Sequence, residues 1–175
     1  MKKYILFFIL IFPFILFSQN EKPEPFGGID EVVKYFKGNW YVTFLSKPER
    51  DDSRGGKGTA VAVEVFNGNA IEITNSMKFL QRLYNTKLFI GFDREEMSYF
   101  ANLVNDVSYG IAVNGIYKPE NNQFVLNGFS ANYEKDTLKY SLVIDIVRKD
   151  KFIVNLYHIS PIKSEKILEL GYIKE

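Results

Sequence analysis

Gly38-Asn39-Trp40 is the point at which the chain stops being a polar lead-in and becomes an almost unbroken succession of strands. Just upstream, Ile29-Asp30-Glu31-Val32-Val33-Lys34-Tyr35-Phe36 reads as a short helix, with Asp30 as its N-cap and Glu31 in its first turn. Val32, Val33 and Phe36 form its apolar side, and Gly38 is the stop. Downstream the hydrophobic period switches to two, and β-branched and aromatic residues dominate. Ten strands are predicted, over 39–46, 58–66, 70–78, 83–92, 96–104, 110–117, 123–133, 137–148, 151–160 and 166–174. Asn67-Gly68-Asn69, Asp93-Arg94-Glu95, Pro119 to Asn122, Glu134-Lys135-Asp136 and Lys149-Asp150 have the chemistry of hairpin turns between them. Tight hairpins join only antiparallel neighbours, so the order is a meander.

Alternation supplies one apolar face. Val61, Val63 and Val65 share a side in the second strand, Ile71 and Ile73 in the third, Leu88, Ile90 and Phe92 in the fourth. Leu138, Tyr140, Leu142, Ile144 and Ile146 do so in the eighth, Phe152, Val154 and Leu156 in the ninth, Leu168, Leu170 and Tyr172 in the last. Such a meander has two bare edges, and closure removes both while burying the apolar face. The expected fold is therefore all-β, a closed antiparallel up-and-down β-barrel of about ten strands with a short N-terminal helix. In that topology the tight turns gather at one end with the helix. The other end collects Lys47 to Lys57, Phe79 to Arg82, Asn105 to Tyr109, Glu134 to Asp136 and Pro161 to Ser164, and is expected to open onto an interior cavity.

Of 175 residues, the first 19 have the order of a secretory signal: Lys2 and Lys3, 14 apolar residues from Tyr4 to Phe17, then a polar exit. That run is shorter than the ~20 residues a membrane span needs and is broken by Pro13. The expected organisation is a signal peptide at 1–19, a flexible leader at 20–28 and one barrel domain at 29–175, in the periplasm or secreted. Loss of Lys2 and Lys3 takes the formal net charge from +1 to −1. A near-neutral chain offers no electrostatic case for nucleic acid, nor for a membrane surface once the signal is removed. Cysteine is absent, so stability is expected from the core alone, and a thiol nucleophile or cysteine metal site is excluded.

A glycine, any residue, tryptophan triplet after a short helix and before an antiparallel barrel resembles the lipocalin and wider calycin superfamily. Gly91-Phe92-Asp93, the Tyr99 strand, the Gly110 to Tyr117 strand and the closing Leu168 to Lys174 strand resemble a family of bacterial lipocalin-like domains of unknown function. The resemblance implies that Trp40 packs across the closed base beneath a basic residue of the last strand. Lys174 is in position for that cover, so Gly38, Trp40 and Lys174 are expected to be structural. Trp40 is the only tryptophan, so roles tied to others do not carry over.

Candidate ligand-binding residues are His158, Tyr109, Asn105, Tyr140 and Leu156, toward the open end. His158, the only histidine, follows Phe152, Val154 and Leu156 inward by parity, as a ligand contact, a haem ligand or simply a rim histidine. A three-residue loop at 67–69 would set Glu64 opposite Glu72, on the outer face rather than as an interior acid/base pair. Asp145 likewise faces outward. Arg54-Gly55-Gly56-Lys57-Gly58-Thr59 lacks the first glycine of a phosphate loop and leads into a strand, so it reads as part of a mobile loop. No nucleophile elbow is present, and one histidine without cysteine cannot build a zinc site. Catalytic residues, metal and cofactor are therefore expected to be none. The expected function is non-enzymatic uptake of a small apolar or amphipathic ligand. The alternative is a solid barrel serving as a scaffold for a protein partner, and third is an isomerase relying on hydrogen bonds alone.

Overall fold

The computed structural model describes residues 26–51, 53–79, 82–105, 110–131 and 137–175. Helix α1 (Ile29–Phe36) is followed by β1 (Gly38–Ser46), β2 (Arg54–Val65), β3 (Ala70–Phe79), β4 (Arg82–Asp93) and β5 (Ser98–Asn105). Then come β6 (Ile111–Lys118), β7 (Gln123–Ala131), β8 (Thr137–Arg148), β9 (Lys151–Ile159) and β10 (Ser164–Lys174). Each strand pairs antiparallel with its neighbours in sequence, and β1 closes the ring against β10 with Trp40 opposite Lys174. The all-β barrel expected from the alternation is the fold observed.

The closed end is built from aromatic rings. Helix α1 buries Val32, Val33 and Phe36 beneath the barrel. The Trp40 indole Nε1 donates to the Phe36 carbonyl at 2.8 Å, tying helix to first strand. Between them Gly38 turns the chain at φ 128°, a conformation costly for any residue with a Cβ. Phe152 packs edge-on against Trp40 at 4.8 Å between centroids and stacks on Tyr172 at 4.2 Å. The helix begins two residues earlier than the capping pattern predicted. Asp30 lies inside its first turn, Gly28 occupies the cap position without a side-chain bond, and Glu31 accepts from the Gly27 N–H at 2.7 Å.

The second strand departs most from expectation. Val65 pairs with Ala70, so Phe66 to Asn69 form a four-residue loop, with φ of 52° at Phe66, 54° at Asn67 and 82° at Gly68. One more residue in the loop moves every side chain of β2 to the opposite face. Ala60 and Ala62 are therefore buried, while Val61 and Val63 stand outside, about half exposed. Arg54 to Gly58, expected in a mobile loop, is strand instead, paired with both β1 and β3. Its glycines serve close approach: a Cβ on Gly56 would lie 2.6 Å from the Lys78 carbonyl oxygen, and one on Gly58 would collide with that of Ser76.

Candidate functional site

From the base upward the interior is packed. Trp40, Phe124, Phe152, Ile73, Leu88, Leu126, Leu142, Ile144 and Leu170 have no solvent exposure, so the expected cavity does not run down the axis. Long rings from the base and branched side chains above them occupy that space. Toward the open end Met77, Leu103, Val113 and Leu156 form the last buried layer of the inner face. Above this floor, Phe44, Ile111, Tyr140 and Leu168 are only partly buried against the core. The result is a shallow apolar cup at the end where β1, β3, β5, β7 and β9 finish.

Three of the five candidate ligand residues come together there. Tyr140 and His158 are directly paired across β8 and β9, with rings 5.7 Å apart, and Leu156 lies one layer deeper opposite Leu142. On its other side His158 faces Glu165 of β10, which is 3.9 Å from Arg50. A bulge between Lys166 and Leu168 adds one residue to β10 at this level, which keeps Glu165 in line with His158. Burial raises the Tyr140 phenol's pKa, so the hydroxyl is a neutral donor and acceptor. Asn105 ends β5 opposite Thr86. Tyr109 lies outside the described residues.

A cleft of about 610 Å³ opens at the rim, lined by Leu138, Lys139, His158, Ile159, Ser160 and Pro161. Its far wall is a fixed turn. Ser160 Oγ donates to the Lys163 carbonyl at 2.8 Å and accepts from the Lys163 N–H at 3.0 Å. Ile162 stands on that turn 98 % exposed.

At the closed end, Lys174 Nζ sits 5.2 Å from the centroid of the Trp40 ring, within cation–π range. The changed register separates the two carboxylates expected together on the outer face, since Glu64 falls in the row of Ala60 and Ala62 at the closed end while Glu72 stays outside. Glu64 pairs with Lys37 at 3.2 Å, whereas Glu72 accepts from Lys87 at 2.6 Å and from Thr74 at 3.0 Å. The Lys87 bond holds Glu72 below its ordinary pKa. Asp145 accepts from Gln123 at 2.5 Å and Asn155 at 2.8 Å, joining three strands on the outside. No three potential metal-ligating side chains converge among the described residues.

One interior group escaped the sequence reading. Asn75 is fully buried on the inner face, and its Nδ2 donates to Thr86 Oγ1 at 2.8 Å. Its Oδ1 and the Tyr172 hydroxyl, both buried, lack hydrogen bonds of standard geometry. Parity carries the signal, since Asn75 continues the Ile71, Ile73 series and so had to point inward.

The class defined is thus a ten-stranded antiparallel barrel with an aromatic plug at one end and an apolar cup at the other. Residues 30–173 match the model of DUF1579, described as a protein of unknown function, and the chain belongs to that family. No curated protein matches it by sequence. Among solved structures it is similar to the S-type phycobiliprotein lyase CPES from Guillardia theta, at 10 % identity and TM-score 0.55, over 84 % of this chain and 92 % of that one. This likeness corrects the expectation that the barrel is not an enzyme. A barrel of the same architecture is named a lyase, so the architecture gives no ground for setting catalysis aside.

Proposed function

We propose that the protein is an exported, lipocalin-like barrel that takes up a small apolar or amphipathic molecule through the cup at its open end. The observation that carries this reading is the partly buried apolar wall of Phe44, Ile111, Tyr140 and Leu168 standing above the buried floor of Met77, Leu103, Val113 and Leu156, with His158 beside Tyr140 at the rim. Apolar surface left inside an otherwise closed barrel is unfavourable unless something covers it. The rim hydroxyl and imidazole give a bound molecule its orientation. That a solved barrel of the same fold is named a phycobiliprotein lyase supports a role beyond that of a passive scaffold. Trp40 beneath Lys174, after a short helix, supports the lipocalin and calycin placement. The Lys2-Lys3 and apolar Tyr4 to Phe17 order supports export, which N-terminal sequencing of the protein from its own cell envelope would test.

Native mass spectrometry of protein taken from its own compartment is the direct test, with an extrinsic apolar dye as its counterpart in vitro. Leu156→Glu places a charge in the floor and should abolish dye uptake, while Val61→Glu on the outer face should leave it unchanged. Equal uptake by Leu156→Glu and the unaltered protein, with both folded by circular dichroism, would move the site away from the cup.

A further inference from the structure

We propose that the molecule taken up at the mouth is an anionic amphiphile, whose carboxylate rests in the rim cleft against Lys139 while its apolar chain enters the cup. This rests on the uptake proposed above and names the chemistry of its ligand.

The argument is one of charge placement. Between the closed base and the rim the described inner face carries no charged side chain; its polar groups there are neutral, with Asn75, Thr86 and Tyr172 among them. A charged ligand group cannot be carried into that layer, so it has to stop at the mouth. Glu165 is engaged by Arg50 and Glu169 by Lys166 at 3.1 Å. Among the described residues Lys139, in contrast, has no carboxylate or hydrogen-bond partner, and His158 has no hydrogen bond or ion pair, its ring meeting that of Tyr140 at 5.7 Å. Both line the cleft, alongside Leu138, Ile159 and Pro161, with no acidic residue among the described residues of the lining. An unpaired ammonium, an uncommitted imidazole and apolar walls together match a carboxylate on an aliphatic chain. Leu138 and His158 stand in the inward row of Tyr140 and Leu156, whereas Lys139 and Ile159, paired with each other, stand in the outward row, so the cleft straddles the rim and places the ammonium at its outer lip. At the rim the carboxylate remains near water, so its desolvation cost stays small while the charge-assisted bond is retained.

Dansyl-undecanoic acid and its methyl ester are the probes, sharing chain and fluorophore and differing in charge. The acid should bind the full domain about tenfold more tightly than the ester, the size expected of one charge-assisted hydrogen bond. Lys139→Met keeps the aliphatic stem and should bring the acid down to the ester's affinity while leaving the ester unchanged. Lys118→Met, at the opposite end of the barrel, removes the same charge and should leave the ratio intact. Equal affinity of acid and ester for the unaltered protein would overturn the anionic assignment and leave the cup standing. So would an acid preference that survives Lys139→Met. Absence of binding by both probes would remove the cup as well.

Discussion

Trp40 shows how differently two contacts to the same ring can count. Its indole is fully buried, donates to Phe36 and meets Phe152 edge-on, whereas Lys174 covers it from a strand end. Trp40→Phe opens a void and orphans the Phe36 carbonyl, and should cost about 2–4 kcal/mol in urea unfolding. Lys174→Met keeps the stem and loses only the cation, a change of about 0.5–1 kcal/mol. A larger effect for Lys174 than for Trp40 would contradict the plug. Tyr172 adds a third kind of contact, since its buried hydroxyl lacks a well-formed hydrogen bond. Removing a polar group that has been desolvated without compensation costs little.

At the scale of the element, β2 is the instructive strand. Its glycines sit where neighbouring backbone leaves no room for a Cβ, so Gly58→Ala should destabilise the barrel by about 1–3 kcal/mol. Gly110→Ala, whose nearest neighbours lie at 3.4 Å or beyond, should change stability by less than about 0.5 kcal/mol. Thermal melts of the two variants check the contrast. The sequence made nearly every strand legible, because period-two alternation survives in each. It did not make the phase of β2 legible: valines at 61, 63 and 65 look like a core face, and the turn's length depends on Phe66 and Asn67 adopting positive φ. Nothing in a phenylalanine announces that conformation. The Arg54 to Gly58 segment was obscured for a related reason, since glycine signals a loop in general and here marks close packing of strands.

For the whole molecule, the two ends behave differently. Of the candidate site, Tyr140, His158 and Leu156 were legible from the alternation within each strand, which sets its inward row; the direct pairing of Tyr140 with His158 was not, because a bulge between Ile146 and Arg148 shifts the register that the two-residue turn alone would give. Asn75 was equally inferable by parity but concealed among polar neighbours, Thr74 and Ser76. The plugged end also sets the response to alkali. Burial is the main reason the Tyr35 and Tyr172 phenols are raised above their ordinary pKa, with Asp150 adding to the effect at Tyr35 and Asn75 offsetting part of it at Tyr172. Both phenols are neutral in the folded state, so their contribution to stability is complete below about pH 10 and is lost as pH rises beyond it, when the unfolded chain ionises first. Urea midpoints should therefore fall steeply above about pH 10. Tyr172→Phe should flatten that fall while changing the neutral-pH midpoint little, and an unchanged slope would place the titrating group elsewhere.

The single indole of the chain is locked into the base, at the far end of the barrel from the mouth. Its intrinsic emission is consequently a gauge of folding that is blind to occupancy. It stays blue and constant while a ligand fills the opposite end, and turns red only when the plug comes apart. A titration followed by that signal alone would record no binding in a protein saturated with ligand.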